Sequence, residues 1–112
     1  MAKTISLEDF KKVDMRVGTI IESEINKGAR KPAYKLKIDL GKDLKIKKSS
    51  AQITELYELE DLIGKQVIVV VNFNSIRIAD IKSEVRILRA ENKKGCIILI
   101  PERQAQNGSK IY

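Results

Sequence analysis

Apolar residues recur along this chain with two different periods. Near the start they fall three apart, at Leu7, Phe10 and Val13. Ser6 stands before them as a cap and Asp9 lies in the first turn, which predicts a short helix over about 6–13. From Arg16 the period becomes two: Val17, Thr19 and Ile21 alternate with Gly18, Ile20 and Glu22, as in a strand. Asn26-Lys27-Gly28 is a turn signal, and Pro32 disfavours helix at Lys31. The cleanest alternation runs from Ala33 to Leu40. Tyr34, Leu36, Ile38 and Leu40 fall on one face, and Lys35, Lys37 and Asp39 on the other. Gly41-Lys42-Asp43 then turns the chain, and Leu44-Lys45-Ile46-Lys47 alternates again. The two runs predict a hairpin with its lysines, Lys35, Lys37, Lys45 and Lys47, on one surface.

Thr54 to Ile63 reads as a helical segment ended by Gly64. Gln66 to Asn72 is β-branched nearly throughout and predicts a strand covered on both faces. Ser83–Arg89 and Cys96–Ile100 predict further strands, the second stopped by Pro101. The tail from Glu102 is polar, turns at Asn107-Gly108 and ends in Lys110-Ile111-Tyr112. Five or six short strands, with one helical segment between the third and fourth, predict an all-β fold. The best fit is a five-stranded OB-fold Greek-key barrel with a short helical insertion and a short N-terminal helix, one domain over 1–112. An SH3-like barrel competes, but usually lacks a helical interlude of this length.

Composition narrows the chemistry. The chain has 112 residues, enough for one self-sufficient core. Its longest aliphatic run, Val67 to Val71, is far short of the ~20 apolar residues of a membrane-spanning helix, so no membrane insertion is expected. Residues 1–10 hold no apolar signal core, which makes the cytoplasm the expected compartment. Histidine is absent, and with it the commonest general acid–base group and the commonest metal ligand. Cys96 is the only cysteine; lying in an apolar run, it is expected as a core thiol. The carboxylates Glu55, Glu58, Glu60 and Asp61 read as a solvated helical segment in preference to a metal site. No P-loop or Gly-x-Gly-x-x-Gly run occurs. These features disfavour an enzyme and call for no cofactor and no metal.

Charge is distributed unevenly. The window from Lys27 to Lys48 holds nine basic residues and two acidic ones, so it carries the whole net charge of +7. The remainder is balanced. A basic segment on a neutral body is the footprint of a polyanion or of an acidic partner.

Several segments resemble the tRNA-binding OB domain found at the C-terminus of bacterial methionyl-tRNA synthetase and in the endothelial monocyte-activating polypeptide group. Asp14-Met15-Arg16-Val17-Gly18-Thr19-Ile20 resembles its D-x-R-V-G-x-I opening, and Tyr34 to Gly41 its L/Y-x-L-x-I-D-x-G strand. Gly64-Lys65-Gln66-Val67 and Val70-Val71-Asn72-Phe73 resemble its G-K-x-V-x-x-V-x-N segment, and Ser83-Glu84-Val85 stands at its S-E/Q-G/A-M segment. Ala29-Arg30-Lys31-Pro32-Ala33-Tyr34-Lys35-Leu36 is similar to the A-R-K-P-A-Y-K-L run of one branch, the CsaA proteins. So are Ser49 to Thr54 and the ending Asn107 to Tyr112. The resemblance runs from about Phe10 to Tyr112. Relatives that bind tRNA carry a basic loop of the type N-L-x-P-R-K-M-R-G after the Asn. Here it reads Asn72-Phe73-Asn74-Ser75-Ile76-Arg77-Ile78-Ala79-Asp80, with only Arg77 basic. Losing loop charge weakens polyanion affinity, which rests on counterions released per phosphate.

The resemblance implies a small homodimeric cytoplasmic chaperone, associated with protein export, that binds unfolded or precursor polypeptides without ATP. The N-terminal helix and the tail over about 102–112 would be its dimerisation elements. Phe73, Ile76 and Ile78 would supply apolar contact, and Arg30, Lys31, Lys48 and Arg77 a basic rim. The alternative is an RNA-binding module that grips the outside of tRNA, alone or as a synthetase accessory. Arg16, Lys35, Lys37, Lys45, Lys47 and Lys48 would then contact phosphates, with Asn72 and Ser83 as polar contacts. Five aromatic residues, none of them tryptophan, are few for recognition of single strands by base stacking.

Overall fold

A computed structural model describes residues 3–112. In chain order the elements are α1 (Leu7–Lys11), β1 (Met15–Ile25), β2 (Tyr34–Asp39), α2 (Gly41–Leu44), β3 (Ile46–Ala51), α3 (Leu59–Leu62), β4 (Gln66–Val70), β5 (Ile76–Ile78), β6 (Ile81–Ser83), β7 (Arg86–Ile87), β8 (Arg89–Ala90), β9 (Ile97–Ile98) and β10 (Lys110–Ile111). The main sheet is antiparallel in the order β3-β2-β1-β4-β7, with β10 also on β1. β5–β6 and β8–β9 are separate two-stranded ribbons.

The sheet curls until β3 meets the segment after β6. The carbonyl of Lys48 accepts from the Glu84 and Val85 N–H groups (2.8 and 3.4 Å). Lys48 N–H donates to Glu84 Oε1 (3.0 Å), and Ser50 N–H to Ser83 Oγ (3.0 Å). The result is the nearly closed all-β barrel of an OB-fold. Its interior holds Ile20, Leu36, Ile38, Leu40, Ile53, Leu62, Val67 and Val69, all fully buried. Each contributes on the order of 1.5–3 kcal/mol over an exposed position. Among the described residues no helix is long and apolar enough to cross a membrane.

The alternation in β2 is as read from the sequence, with Tyr34, Leu36 and Ile38 inward and Lys35, Lys37 and Asp39 outward. The strand after it is out of phase with the reading. Lys48 stands opposite Lys37 and Ser50 opposite Lys35, whereas Lys47 stands opposite the buried Ile38. Partners directly opposite share a face. Lys48 therefore joins Lys35 and Lys37, and Lys47 does not. Lys45 lies before the strand, at the end of α2, with φ 65°. The chain between β2 and β3 is thus the helical turn α2 capped by Lys45, and the register that follows it puts Lys48 opposite Lys37.

β1 carries a bulge at Ile21, between the pairs Ile20↔Ile38 and Glu22↔Lys37. The extra residue reverses inside and outside along the strand. Ile20 is in the core, while Glu22 and Glu24 face outward opposite Lys37 and Lys35.

The tail is a structural part of the barrel. Gly108 N–H donates to Val17 O (2.7 Å) and Val17 N–H to Ser109 O (3.0 Å), continuing the edge of β1 beyond the end of β2. The Gln66 side chain reads the Ala105 backbone in both directions, donating to its carbonyl (2.6 Å) and accepting from its N–H (2.9 Å). Thr19 Oγ1 donates to Asn107 Oδ1 (2.8 Å). The crossing is so close that a Cβ on Gly108, which has φ 92°, would lie 2.7 Å from Leu40 O. No other residue fits there without moving backbone.

Three local expectations are revised. The segment 54–63 is a turn followed by one helical turn, α3. Glu58 and Asp61 form its capping box, and the Tyr57 carbonyl accepts the Tyr34 hydroxyl (2.8 Å). Cys96 is partly exposed, and Ile98 is the buried member of its strand. The run 83–89 breaks into the end of β6, β7 and the start of β8 as it passes the closure. α1 forms with Ser6 Oγ accepting the Asp9 N–H (3.1 Å), but its apolar side is uncovered in the single chain.

Candidate functional site

The β5–β6 hairpin stands on the rim of the barrel, anchored at its tip. Ala79 sits at the turn with φ 59°, and a Cβ on Gly28 would lie 2.9 Å from Ala79 Cβ, so only glycine lets the 26–33 loop come this near. Asp80 Oδ1 lies 3.6 Å from Lys35 Nζ. Asn26, almost fully buried, donates from Nδ2 to Ile78 O (3.3 Å) and Ser50 Oγ (3.1 Å). At the other end Ser83, opposite Ile76, accepts the Ser50 N–H (3.0 Å), while Phe73 and Ile76 themselves stand 54% and 60% exposed. Retaining two large apolar groups in water, on an anchored ribbon, leaves them available to a partner.

The hairpin brings together most of the residues assigned to polypeptide contact. Arg30, Lys31, Arg77 and Ile78 line one cleft of about 500 Å³. Phe73, Ile76 and Ile78 line a second of about 110 Å³. Lys48 is set apart, on the sheet face beside the hairpin.

That face is charge-balanced. Lys37 Nζ lies 3.3 Å from Glu22 Oε2, and Lys35 Nζ lies 3.5 Å from Glu24 Oε1 as well as near Asp80. The small cleft between them is lined by Lys35, Lys37 and Lys48 and by Glu22, Glu24 and Asp80, three charges of each sign. Such exposed pairs add little to stability. They do remove the uncompensated positive charge that a phosphate would neutralise. Glu22-x-Glu24 and Lys35-x-Lys37 have the spacing that pairs across an antiparallel hairpin, a signal that the bulge at Ile21 masks in the simple alternation of β1.

The residues assigned to RNA are dispersed, and several have other work. Arg16 chelates Asp14 (Nε to Oδ1 2.7 Å, Nη2 to Oδ2 3.2 Å) and donates from Nη1 to Gly108 O (3.1 Å). The hydrogen bond with Asp14 raises its pKa above the usual arginine value, against the lowering effect of burial, so its charge is permanent and internally used. Asn72 Oδ1 accepts the Asp14 N–H (2.9 Å) while its Nδ2 donates to Lys12 O (2.6 Å), tying the N-terminal segment to the end of β4. Ser83 closes the barrel. Lys45 and Lys47 lie off the face of Lys35 and Lys37, as described above. Of the tyrosines, Tyr34 has its pKa raised, first by burial and then by the carboxylates Glu58, Glu60, Asp61 and Glu55; it is a neutral structural donor.

Residues 15–110 match a family model described as "Putative tRNA binding domain". The fold is similar to that of the chaperone CsaA from Bacillus anthracis, with TM-score 0.91 and 44% identity over 98% of this chain and 100% of that one. It is similar also to the CsaA chaperone protein of Picrophilus torridus, with TM-score 0.93 and 46% identity over 97% of this chain and 100% of that one. A methionine–tRNA ligase of Methanocella arvoryzae is 37% identical over 107 residues, 96% of this chain and 15% of that protein. The chain thus spans about 15% of the length of the ligase it matches.

If the carboxylates hold the sheet face neutral, the double variant Glu22→Gln/Glu24→Gln should bind a heparin column more tightly and elute at higher salt than the parent. Uncovering Lys37 and leaving Lys35 with Asp80 alone should steepen the log–log salt dependence of polyanion binding by roughly one. An unchanged elution position would show that Lys35 and Lys37 were never neutralised.

Proposed function

The chain belongs to the CsaA-type branch of the tRNA-binding-domain family, and from that premise we propose that it holds unfolded or precursor polypeptides as an ATP-independent chaperone, a binding module and not an enzyme. The observation that carries this reading is the hairpin rim, where Phe73 and Ile76 are more than half exposed above a cleft shared with Ile78. Unfolded chains differ from folded ones chiefly in the apolar side chains they expose, so an exposed apolar ribbon recognises them without a sequence code. The lone Cys96, which has no disulfide partner in the chain, accords with work in the cytoplasm. A role in protein export follows from the same likeness to CsaA and is part of the proposal.

The tRNA reading retains one supporting observation. Lys42, Lys45, Lys47 and Lys48 belong to no ion pair among the described residues. Against it stand the neutralised face and the structural engagement of Arg16, Asn72 and Ser83 described above.

We propose further that two copies assemble. Ile5, just before α1, and Leu7, at its start, are 70% and 67% exposed, and Tyr112 is 98% exposed. Ile111 pairs with Met15, so Tyr112 and α1 lie at the same end of β1. A second copy would cover this apolar end.

Phe73→Ala and Ile76→Ala should each weaken binding of a permanently unfolded protein about tenfold, the scale of one buried apolar side chain. Lys45→Glu/Lys47→Glu should have little effect, and moderate salt should change affinity less than about threefold. Titration by anisotropy checks this; a steep salt slope with no effect of Phe73 or Ile76 would promote tRNA instead. For assembly, sedimentation should give a dimer for the intact chain and a folded monomer for Leu7→Glu/Phe10→Glu. A dimer that survives this change would place the interface elsewhere.

A further inference from the structure

The two clefts at the hairpin adjoin at Ser50 and Ile78, which line both, and are taken together as one groove. Its ends differ in chemistry. At one end stand Arg30, Lys31 and Arg77, with no carboxylate among the lining residues. None of the three is in an ion pair among the described residues, and Arg77 donates only to the backbone carbonyl of Asp80 (3.3 Å). At the other end are Phe73, Ile76 and Val85. The charged groups there, Glu84 and Arg86, are of opposite sign, and Glu84 already accepts the Lys48 N–H. The seam is rigid: Asn26 bonds both Ser50 and Ile78 from below.

Three cations converging on a cleft without a counter-charge repel one another. The repulsion is relieved when an anion enters. The adjoining sheet face carries three lysines and three carboxylates, with Lys35 and Lys37 ion-paired, so the imbalance is local to the groove. The apolar end offers a phosphate chain little, since Phe73, Ile76 and Val85 carry no side-chain donors and the one cation there, Arg86, shares the cleft with Glu84. An occupant that satisfies both ends has an apolar side chain and a carboxylate close together.

We propose that the groove selects unfolded polypeptide segments in which a carboxylate lies next to an apolar side chain, and disfavours basic segments. This rests on the reading that the hairpin holds polypeptide, and adds the class of segment it takes. The carboxylate comes either from Asp and Glu side chains or from a chain terminus. Both offer the same two-oxygen acceptor to a guanidinium.

The test uses the intact protein and short unfolded peptides of equal apolar content, labelled for anisotropy. One carries Glu and Asp, one Gln and Asn, and one Lys, all amidated at the C-terminus; a fourth is the neutral peptide with a free C-terminal carboxylate. At low salt the acidic peptide should bind about tenfold more tightly than the neutral one, and the Lys peptide least tightly. Gain by the fourth peptide alone would assign the carboxylate to chain ends; gain by the first would assign it to side chains. Arg30→Gln/Arg77→Gln, two exposed positions whose change leaves the core intact, should shrink the acidic preference to less than about twofold. Equal binding of acidic, neutral and basic peptides would overturn acid selection and leave polypeptide holding in place. No binding by any peptide would remove the polypeptide reading together with this inference. Inorganic polyphosphate is the remaining arm: if it captures the groove as tightly as the acidic peptide, the site takes phosphate and the proposal fails.

Discussion

The barrel closes without a regular ladder between β3 and the segment from Ser83 to Val85, and the position of the site depends on that closure. A continuous ladder there would bury the edge of β3 under main chain alone. Here the Lys48 carbonyl takes two N–H groups, while the side chains of Ser83 and Glu84 accept the N–H groups of Ser50 and Lys48. The chain arrives at this junction directly from β6, so the β5–β6 ribbon must leave the barrel as a hairpin just before it. The rest follows from where that hairpin lands. Gly28 lets its tip approach the 26–33 loop, Asp80 reaches Lys35, and Asn26 holds Ile78. The anchored tip and exposed base leave a groove whose walls come from three distant parts of the sequence.

Net charge alone would mislead about such a surface. The chain carries +7, concentrated between Lys27 and Lys48, which invites a nucleic-acid partner. The fold divides that charge. Lys35 and Lys37 are matched by acidic residues across the β1–β2 pair, whereas Arg30 and Lys31 are turned toward the hairpin with Arg77. Electrostatic attraction to a long regular polyanion requires a surface of uncompensated cations. A short uncompensated cluster beside apolar side chains suits an irregular, partly apolar chain better. This is the physical basis for favouring a polypeptide over RNA in a family whose name refers to tRNA.

The sequence made legible what local periodicity determines. The alternation of β2, the Ser6-capped helix and the all-β barrel follow from spacing or composition, and each is present; the segment expected as an apolar loop after Asn72 keeps Phe73 and Ile76 exposed but folds into the β5–β6 hairpin. Less was legible wherever one residue alters phase. The bulge at Ile21 reverses inside and outside, the helical turn before β3 precedes a register that alternation alone does not give, and neither has a signal beyond a single residue in count. For that reason Lys47 falls on the opposite face from Lys35 and Lys37, and simple alternation does not reveal Glu22 and Glu24 as their partners. Polar residues expected as ligand contacts also serve the fold. Arg16, Asn72 and Ser83 find backbone partners far away in sequence, at Gly108, Lys12 and Ser50 respectively. The β-type apolar run at Cys96 was too short a stretch to reveal which of its members point inward; Ile98 does, and Cys96 is only partly covered.

The central claim is that the hairpin and the 26–33 loop form the surface that meets an unfolded chain. Amide hydrogen exchange of the intact protein, with and without a saturating permanently unfolded protein, tests it directly. Protection gained on binding should concentrate in residues 28–33 and 73–83, with the amides of β2 and β3 unchanged. Protection confined to the sheet face around Lys35, Lys37 and Lys47, with the hairpin exchanging as before, would contradict the account.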